Sequence, residues 1–205
     1  MKVNNLFASL QGEGRYMGTP VVFVRLSGCT RACSFCDTKY HKDGTEMSIK
    51  ELAKKIVALR ITTVVFTGGE PLLQLNDIMR LTNRLPTYDF HLETNGDLIK
   101  TEKDVDVIFQ LFDYVAISPK ELRVAKRVTK LFQGFGSDHD IKVVTDLETV
   151  GVDMLKYATM VMPLTRYKAK QDLSIKRRVW EYATAKRLRY SARLHVEVFG
   201  QKRGV

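Results

Sequence analysis

All three cysteines of the chain, Cys29, Cys33 and Cys36, lie within the stretch SGCTRACSFCDTKY. Spaced C-x-x-x-C-x-x-C, three thiolates can converge from one loop onto one centre. A four-iron cubane normally takes four cysteines, so three would leave one iron with an open position for a substrate or cofactor. The competing chemistry is structural zinc: His41 stands C-x-x-x-x-H after Cys36 and could complete a tetrahedral Cys3His site. A purely structural site would leave a second set of residues without a purpose. TVVFTGGEP ends one β-rich run with Gly68, Gly69, Glu70 and Pro71, FHLETNG ends the next with Glu93, Thr94, Asn95 and Gly96, and VAISPK ends a third with Ser118, Pro119 and Lys120. Glycines let backbone approach a ligand closely, Glu70 could accept from an ammonium, and Ser118 and Lys120 could hold a carboxylate or ribose hydroxyls. Each motif alone is an ordinary turn or loop signal. Their recurrence at successive strand ends is not explained by turns.

The elements that must position these groups alternate short β-rich runs with helical stretches, the pattern of a parallel α/β sheet. Strands are expected at Pro20 to Ser27, Thr63 to Thr67, Asp89 to Glu93, Tyr114 to Ser118, Asp140 to Thr145 and Thr159 to Pro163. SIKE at Ser48 to Glu51 reads as a capping box opening a helix whose Ile49, Leu52, Ala53, Ile56 and Val57 share one face. Further helices are expected near Asn76 to Leu85, Glu102 to Leu111, Glu121 to Phe132, Leu147 to Lys156 and Asp172 to Arg187, and the alternation in RLHVEVF predicts a final strand. About six βα units are too few for a complete eight-stranded barrel, so the expectation is a partial, TIM-like α/β barrel with its chemistry at the C-terminal ends of the strands.

The 205 residues fit one domain, 1–205, with 44% hydrophobic and 27% charged residues, and no apolar run approaches a bilayer span. The N-terminal MKVNNLFASL lacks the layout of a signal peptide, and the expected location is the cytoplasm, where clustered thiols hold metal rather than form disulfides. The net charge of +10 concentrates in the C-terminal part, in RYKAKQDLSIKRRVW, AKRLRYSARL and GQKRGV. With no recognised nucleic-acid motif beside it, a solvated helix face is the simpler reading, and nucleic acid is not the expected partner.

The cysteine triad followed by GGEP on a later strand resembles the radical S-adenosylmethionine superfamily. SLQGEGRYMGTPVVFVRLSGC and CDTKY, with TGGEP, ETNG, SPK and the ending HVEVFGQKRGV, resemble its 7-carboxy-7-deazaguanine synthase family, over the whole chain. The resemblance implies a homodimeric queuosine-pathway lyase that converts 6-carboxy-5,6,7,8-tetrahydropterin to 7-carboxy-7-deazaguanine with loss of ammonia. It also implies a 4Fe-4S cluster, S-adenosylmethionine, Mg²⁺ and an electron donor such as a flavodoxin. In the family it resembles, a 5′-deoxyadenosyl radical takes hydrogen from C6 of the pterin, the ring contracts, and the hydrogen returns. Carried onto this chain, Cys29, Cys33 and Cys36 hold the cluster. Phe35, Asp37, Gly69, Glu70, Glu93, Asn95, Ser118 and Lys120 surround S-adenosylmethionine. Leu10, Gln11, Gly12, Glu13, Arg25, Thr67, His195 and Val205 face the substrate, and Thr38 joins Mg²⁺. The planar fork of Arg25 suits the pterin carboxylate.

Two positions depart from the family pattern. Met162-Pro163 stands where many relatives carry Gln-Pro, and Arg193 stands where they carry a Gln two residues before the late His. Two rival readings have less support. A glycyl-radical activating enzyme does not explain LQGEG, and a zinc-dependent nucleic-acid-binding module does not explain GGEP, ETNG and SPK together.

Overall fold

A computed structural model describes residues 1–33, 36, 42–136, 138–202 and 204. Among them nine strands form one open sheet. An antiparallel lead-in, β1 (Lys2–Leu10), β2 (Pro20–Leu26) and β3 (Thr45–Glu46), is followed by β4 (Thr63–Gly68), β5 (Asp89–Thr94), β6 (Tyr114–Ile117), β7 (His139–Thr145), β8 (Met160–Pro163) and β9 (Arg189–Tyr190), in the order β3-β1-β2-β4-β5-β6-β7-β8-β9. From β2 onward along the sheet every pairing is parallel. Parallel neighbours need crossovers. Five are helical: α1 (Ile49–Ala58), α2 (Leu75–Thr82), α3 (Glu102–Leu111), α4 (Leu122–Leu131) and α5 (Ala169–Lys186). The sixth, from β7 to β8, passes through a 3-10 turn at Val152–Tyr157, and α6 (Leu194–Phe199) follows β9. This open sheet with six crossovers is the partial barrel expected from the sequence.

Alternation sorts the strand side chains between two faces. Val22, Val24, Leu26, Val64, Phe66, Leu92, Val115, Ile117, Ile141 and Val143 are buried in one core with Leu52, Ile56, Ile78, Leu81, Val105, Ile108, Val124 and Val128 of the helices. The intervening positions face the concave side. Arg25 pairs in register with Thr67, and Glu93 with Ala116. Helix starts follow the sequence: Ser48 accepts from the Glu51 N–H at 3.2 Å, and Thr101 with Asp104 makes a full reciprocal capping box.

Two expected elements are absent. The segment from Leu147 to Lys156 is not an α-helix. Asp146 draws the backbone N–H groups of Glu148, Thr149 and Val150 onto one carboxylate, and Leu147 and Gly151 take left-handed backbone, so only the short 3-10 turn remains. The last predicted strand, RLHVEVF, is replaced by α6, because five alternating residues do not outweigh one helical turn begun by the Val196 and Glu197 N–H groups on the Arg193 carbonyl. β1 was not expected; it covers the edge of β2.

Candidate active site

A cavity of about 620 Å³ opens where the parallel strands end. Its lining brings together residues far apart in sequence: Leu10 at the end of β1, Gln11, Gly12 and Glu13 from the loop after it, Arg25 from β2, Cys29, Cys33 and Cys36, Thr67 and Gly69 at the end of β4, Glu93 and Asn95 at the end of β5, Ser118 and Lys120 after β6, and His195. Of the residues singled out from the sequence, Glu70 is described but does not line the cavity. Phe35, Asp37, Thr38, His41 and Val205 lie outside the described residues.

The GGE strand end is joined to the cysteine loop by backbone. The Gly69 N–H donates to the Leu26 carbonyl at 3.1 Å and the Glu70 N–H to the Gly28 carbonyl at 2.8 Å. The fit requires glycine, since a Cβ on Gly69 would stand 1.7 Å from the Gly28 oxygen and 3.1 Å from Cys29 Cβ. Glu70 is fully buried and braces the next strand, accepting from the Leu72 N–H, the Thr94 hydroxyl and the Asn95 N–H at 2.8–3.1 Å. Burial pushes its pKa up, against the pull of those three donors. Arg31 ties the loop to the same region with a two-pronged pair to Asp97 at 2.6 and 2.5 Å.

Deeper in the cavity, Glu93 accepts from Gln11 Nε2 at 3.2 Å and Thr67 Oγ1 at 3.0 Å. At the rim, Lys120 Nζ donates to Ser118 Oγ at 2.9 Å. The loop after β1 crosses the gap that the missing strands would fill. The Gly12 carbonyl accepts from the Leu194 N–H at 2.8 Å, the Gly14 N–H donates to Ser191 Oγ at 2.8 Å, and Arg15 reaches Asp140 of β7 at 3.0 Å. Gly12 lies so close to His195 that a Cβ would meet its Nδ1 at 2.2 Å. Glu13 accepts from Lys142 Nζ at 2.7 Å and Arg193 Nε at 3.0 Å. Burial alone would raise the Glu13 pKa, but the two cations outweigh it and hold the carboxyl well below the usual range. Lys142, also penalised by burial, is held protonated by Glu13.

Under this layer, outside the cavity lining itself, is an aromatic floor: Tyr16, His91 and Tyr114 meet tilted or edge-on with centroids 4.5–5.5 Å apart. Asp140, fully buried, accepts from Arg15, Tyr114, Thr159 and Arg189 at 2.6–3.0 Å. Part of the basic C-terminal composition is paired with acids, including Arg166 with Asp146 and Lys176 with Glu197.

The sequence reading missed Lys142 as a cavity residue. Its signal was a lysine inside the apolar run DIKVVT, at an inward position two residues from Val144, which also lines the cavity.

The donor set fits an iron-sulfur cluster. Three thiols face one cavity from a single loop, and Asn95 Nδ2 approaches Cys29 Sγ at 4.0 Å, an amide directed at sulfur. Burial pushes the Cys29 thiol pKa up, so a thiolate there needs a cation to ionise it.

Known proteins agree with this geometry. Residues 23–166 match the family model described as the Radical SAM superfamily. A protein of Hyperthermus butylicus named 7-carboxy-7-deazaguanine synthase is 32% identical over 97% of this chain and 92% of its own length. One of the same name from Pyrobaculum aerophilum is 33% identical over 100% of this chain and 97% of its own. The crystal structure of QueE from Escherichia coli shares the fold, with a TM-score of 0.58 at 20% identity over 95% of this chain and 94% of that one. A cysteine loop locked to a GGE strand end and full-length likeness to these relatives lead to one conclusion: the chain belongs to the radical SAM superfamily and, within it, to the 7-carboxy-7-deazaguanine synthase family.

Proposed function

We propose that this chain, acting as one domain of residues 1–205, converts 6-carboxy-5,6,7,8-tetrahydropterin to 7-carboxy-7-deazaguanine with release of ammonia, as a carbon-nitrogen lyase of queuosine biosynthesis. The carrying observation is that one cavity holds the three cysteines, the strand-end polar groups and Arg25 together. Cys29, Cys33 and Cys36 hold the 4Fe-4S cluster, while Gly69, Glu93, Asn95, Ser118 and Lys120 receive S-adenosylmethionine with Phe35 and Asp37; Glu70 serves that site by bracing Asn95. When bound, cluster and S-adenosylmethionine supply hydrogen-atom abstraction by a carbon radical. The protein's own work is to bind, orient and enclose. Arg25 holds the pterin carboxylate by a charge-assisted fork, and Gln11, Glu13 and Thr67 offer fixed donors and acceptors to the ring. Leu10, Gly12, His195 and the tail to Val205 exclude water, a role supported by Gly200, Gln201, Lys202 and Gly204 at the cavity wall. Thr38 would hold Mg²⁺, a hard cation that favours oxygen ligands. An acidic electron donor such as a flavodoxin, a homodimer and a cytoplasmic setting complete the reading.

The test is anaerobic reconstitution with iron and sulfide, followed by incubation with S-adenosylmethionine, dithionite and the carboxypterin. Formation of the deazaguanine acid and ammonia is expected. Arg25→Ala is expected to keep the cluster spectrum and lose pterin turnover, by about 2–5 kcal/mol in kcat/KM if the pair is desolvated. Normal turnover by Arg25→Ala would remove Arg25 from the substrate pocket.

A further inference from the structure

Lys142 is an expensive residue where it stands. It lies in a central strand, its side chain is 5% exposed, and an apolar residue of similar size would spare the cost of burying an ammonium. Its partner Glu13 carries a second cation, Arg193, on its other oxygen, with side-chain exposures of 9% for Arg193 and 15% for Glu13. The three come from the loop after β1, from β7 and from the turn before α6, so the set exists only when the cavity is assembled. Each cation occupies one carboxylate oxygen, at 2.7 and 3.0 Å, and the Glu13 N–H is fixed on Gln11 Oε1 at 3.2 Å. Both head and backbone of Glu13 are therefore immobilised.

We infer that Lys142 and Arg193 are positioning residues for the pterin: they hold Glu13 as a fixed, ionised acceptor for the paired N–H donors of the aminopyrimidinone ring. The inference rests on the reading of Glu13 as a substrate contact. A carboxylate matches two adjacent N–H donors only when it is charged and correctly turned, and each cation enforces both conditions. Arg193 thereby acquires a role distinct from that of His195.

The test is a double-mutant cycle on the cluster-loaded enzyme, reading KM and kcat for the carboxypterin together with its dissociation constant. Glu13→Gln and Lys142→Met are each expected to raise KM and the dissociation constant about tenfold or more, with a smaller change in kcat. Lys142→Met in the Glu13→Gln background is expected to add less than about twofold, because Lys142, although it lines the cavity, acts on the pterin by holding Glu13. A merely structural lysine would give independent losses in the two backgrounds, and that result overturns the inference. The same holds if Glu13→Gln weakens binding and Lys142→Met does not. If neither changes binding, the reading of Glu13 as a pterin contact is what fails. Should Lys142→Met not fold, because Glu13 loses a buried partner, Arg193→Gln replaces it in the cycle with the same outcomes.

A second readout is pH. The charged groups facing Glu13 are Lys142 from β7 and Arg193 and His195 from the α6 segment, and Glu93 of β5 faces Lys142. Without Lys142, only Arg193 and His195 oppose burial, and the Glu13 pKa rises from its wild-type value. The KM of Lys142→Met is expected to climb, as pH falls, from a higher pH than that of the wild type and more steeply than that of the Glu13→Gln, Lys142→Met double variant. Parallel profiles would overturn the inference.

Discussion

Gly69→Ala isolates the contact on which the cluster site is built. A Cβ at this position stands 1.7 Å from the Gly28 carbonyl oxygen and 2.5 Å from its carbon, both backbone atoms that no rotamer change can clear. The end of β4 and the cysteine loop must part by more than an ångström, breaking the bonds from Glu70 N–H to Gly28 and from Gly69 N–H to Leu26. Two such bonds are worth about 0.5–1.5 kcal/mol each, and overpacking adds about 1–3 kcal/mol, for a loss of about 2–6 kcal/mol. In a chain of this size that lowers Tm by about 4–24 °C. The assay is thermal unfolding of the iron-free protein, paired with iron content and absorption after reconstitution, since Cys29 moves with Gly28. Gly136→Ala is the control: among the described residues, its chain neighbours aside, no atom lies within 4 Å of its Cβ, and a change within about 0.5 kcal/mol is expected. A Gly69→Ala protein with unchanged Tm and full iron would refute the contact between strand end and cysteine loop.

Replacing Cys29, Cys33 or Cys36 by Ala is expected to abolish iron binding while His41→Ala keeps it; loss of iron from His41→Ala would restore a fourth protein ligand and the zinc alternative. Asp140→Ala leaves Arg15 and Arg189 without their shared carboxylate and is expected to cost about 3–5 kcal/mol in urea unfolding; a loss below 1 kcal/mol would show that the floor does not depend on it. Stability should rise with pH over two ranges. Burial lowers the pKa of His91 and His139, so the unfolded chain takes up those protons first, below about pH 6.5, and stability falls as pH drops through that range. For Asp146, burial is outweighed by backbone and Thr149 hydrogen bonds that depress its pKa, so its contribution is present above about pH 4 and is lost below it. Asp146→Asn should flatten the acid limb of urea midpoint against pH, and an unchanged slope would exclude Asp146 as its source.

The sequence alone determined the chemistry and most of the frame. Three thiols within eight residues, and polar groups repeated at successive strand ends, are local facts, and so are the 3.6-residue face that placed α1 and the β-rich runs that placed β4 to β8. Where local hydrogen bonding competed with periodicity it prevailed, at Asp146 against a helix and at Arg193 against a strand. Only the tertiary structure decided which groups meet. Glu70 reads as a ligand in GGEP, yet its carboxylate turns inward because Thr94 and Asn95 at the end of β5 converge on it with the Leu72 N–H of its own turn. Lys142 reads as an oddity in a strand, yet it meets Glu13 from 129 residues away because the loop after β1 crosses the open side of the sheet. Periodicity reports which face a side chain takes; whether that face is core, floor or binding site depends on what the rest of the chain packs against it.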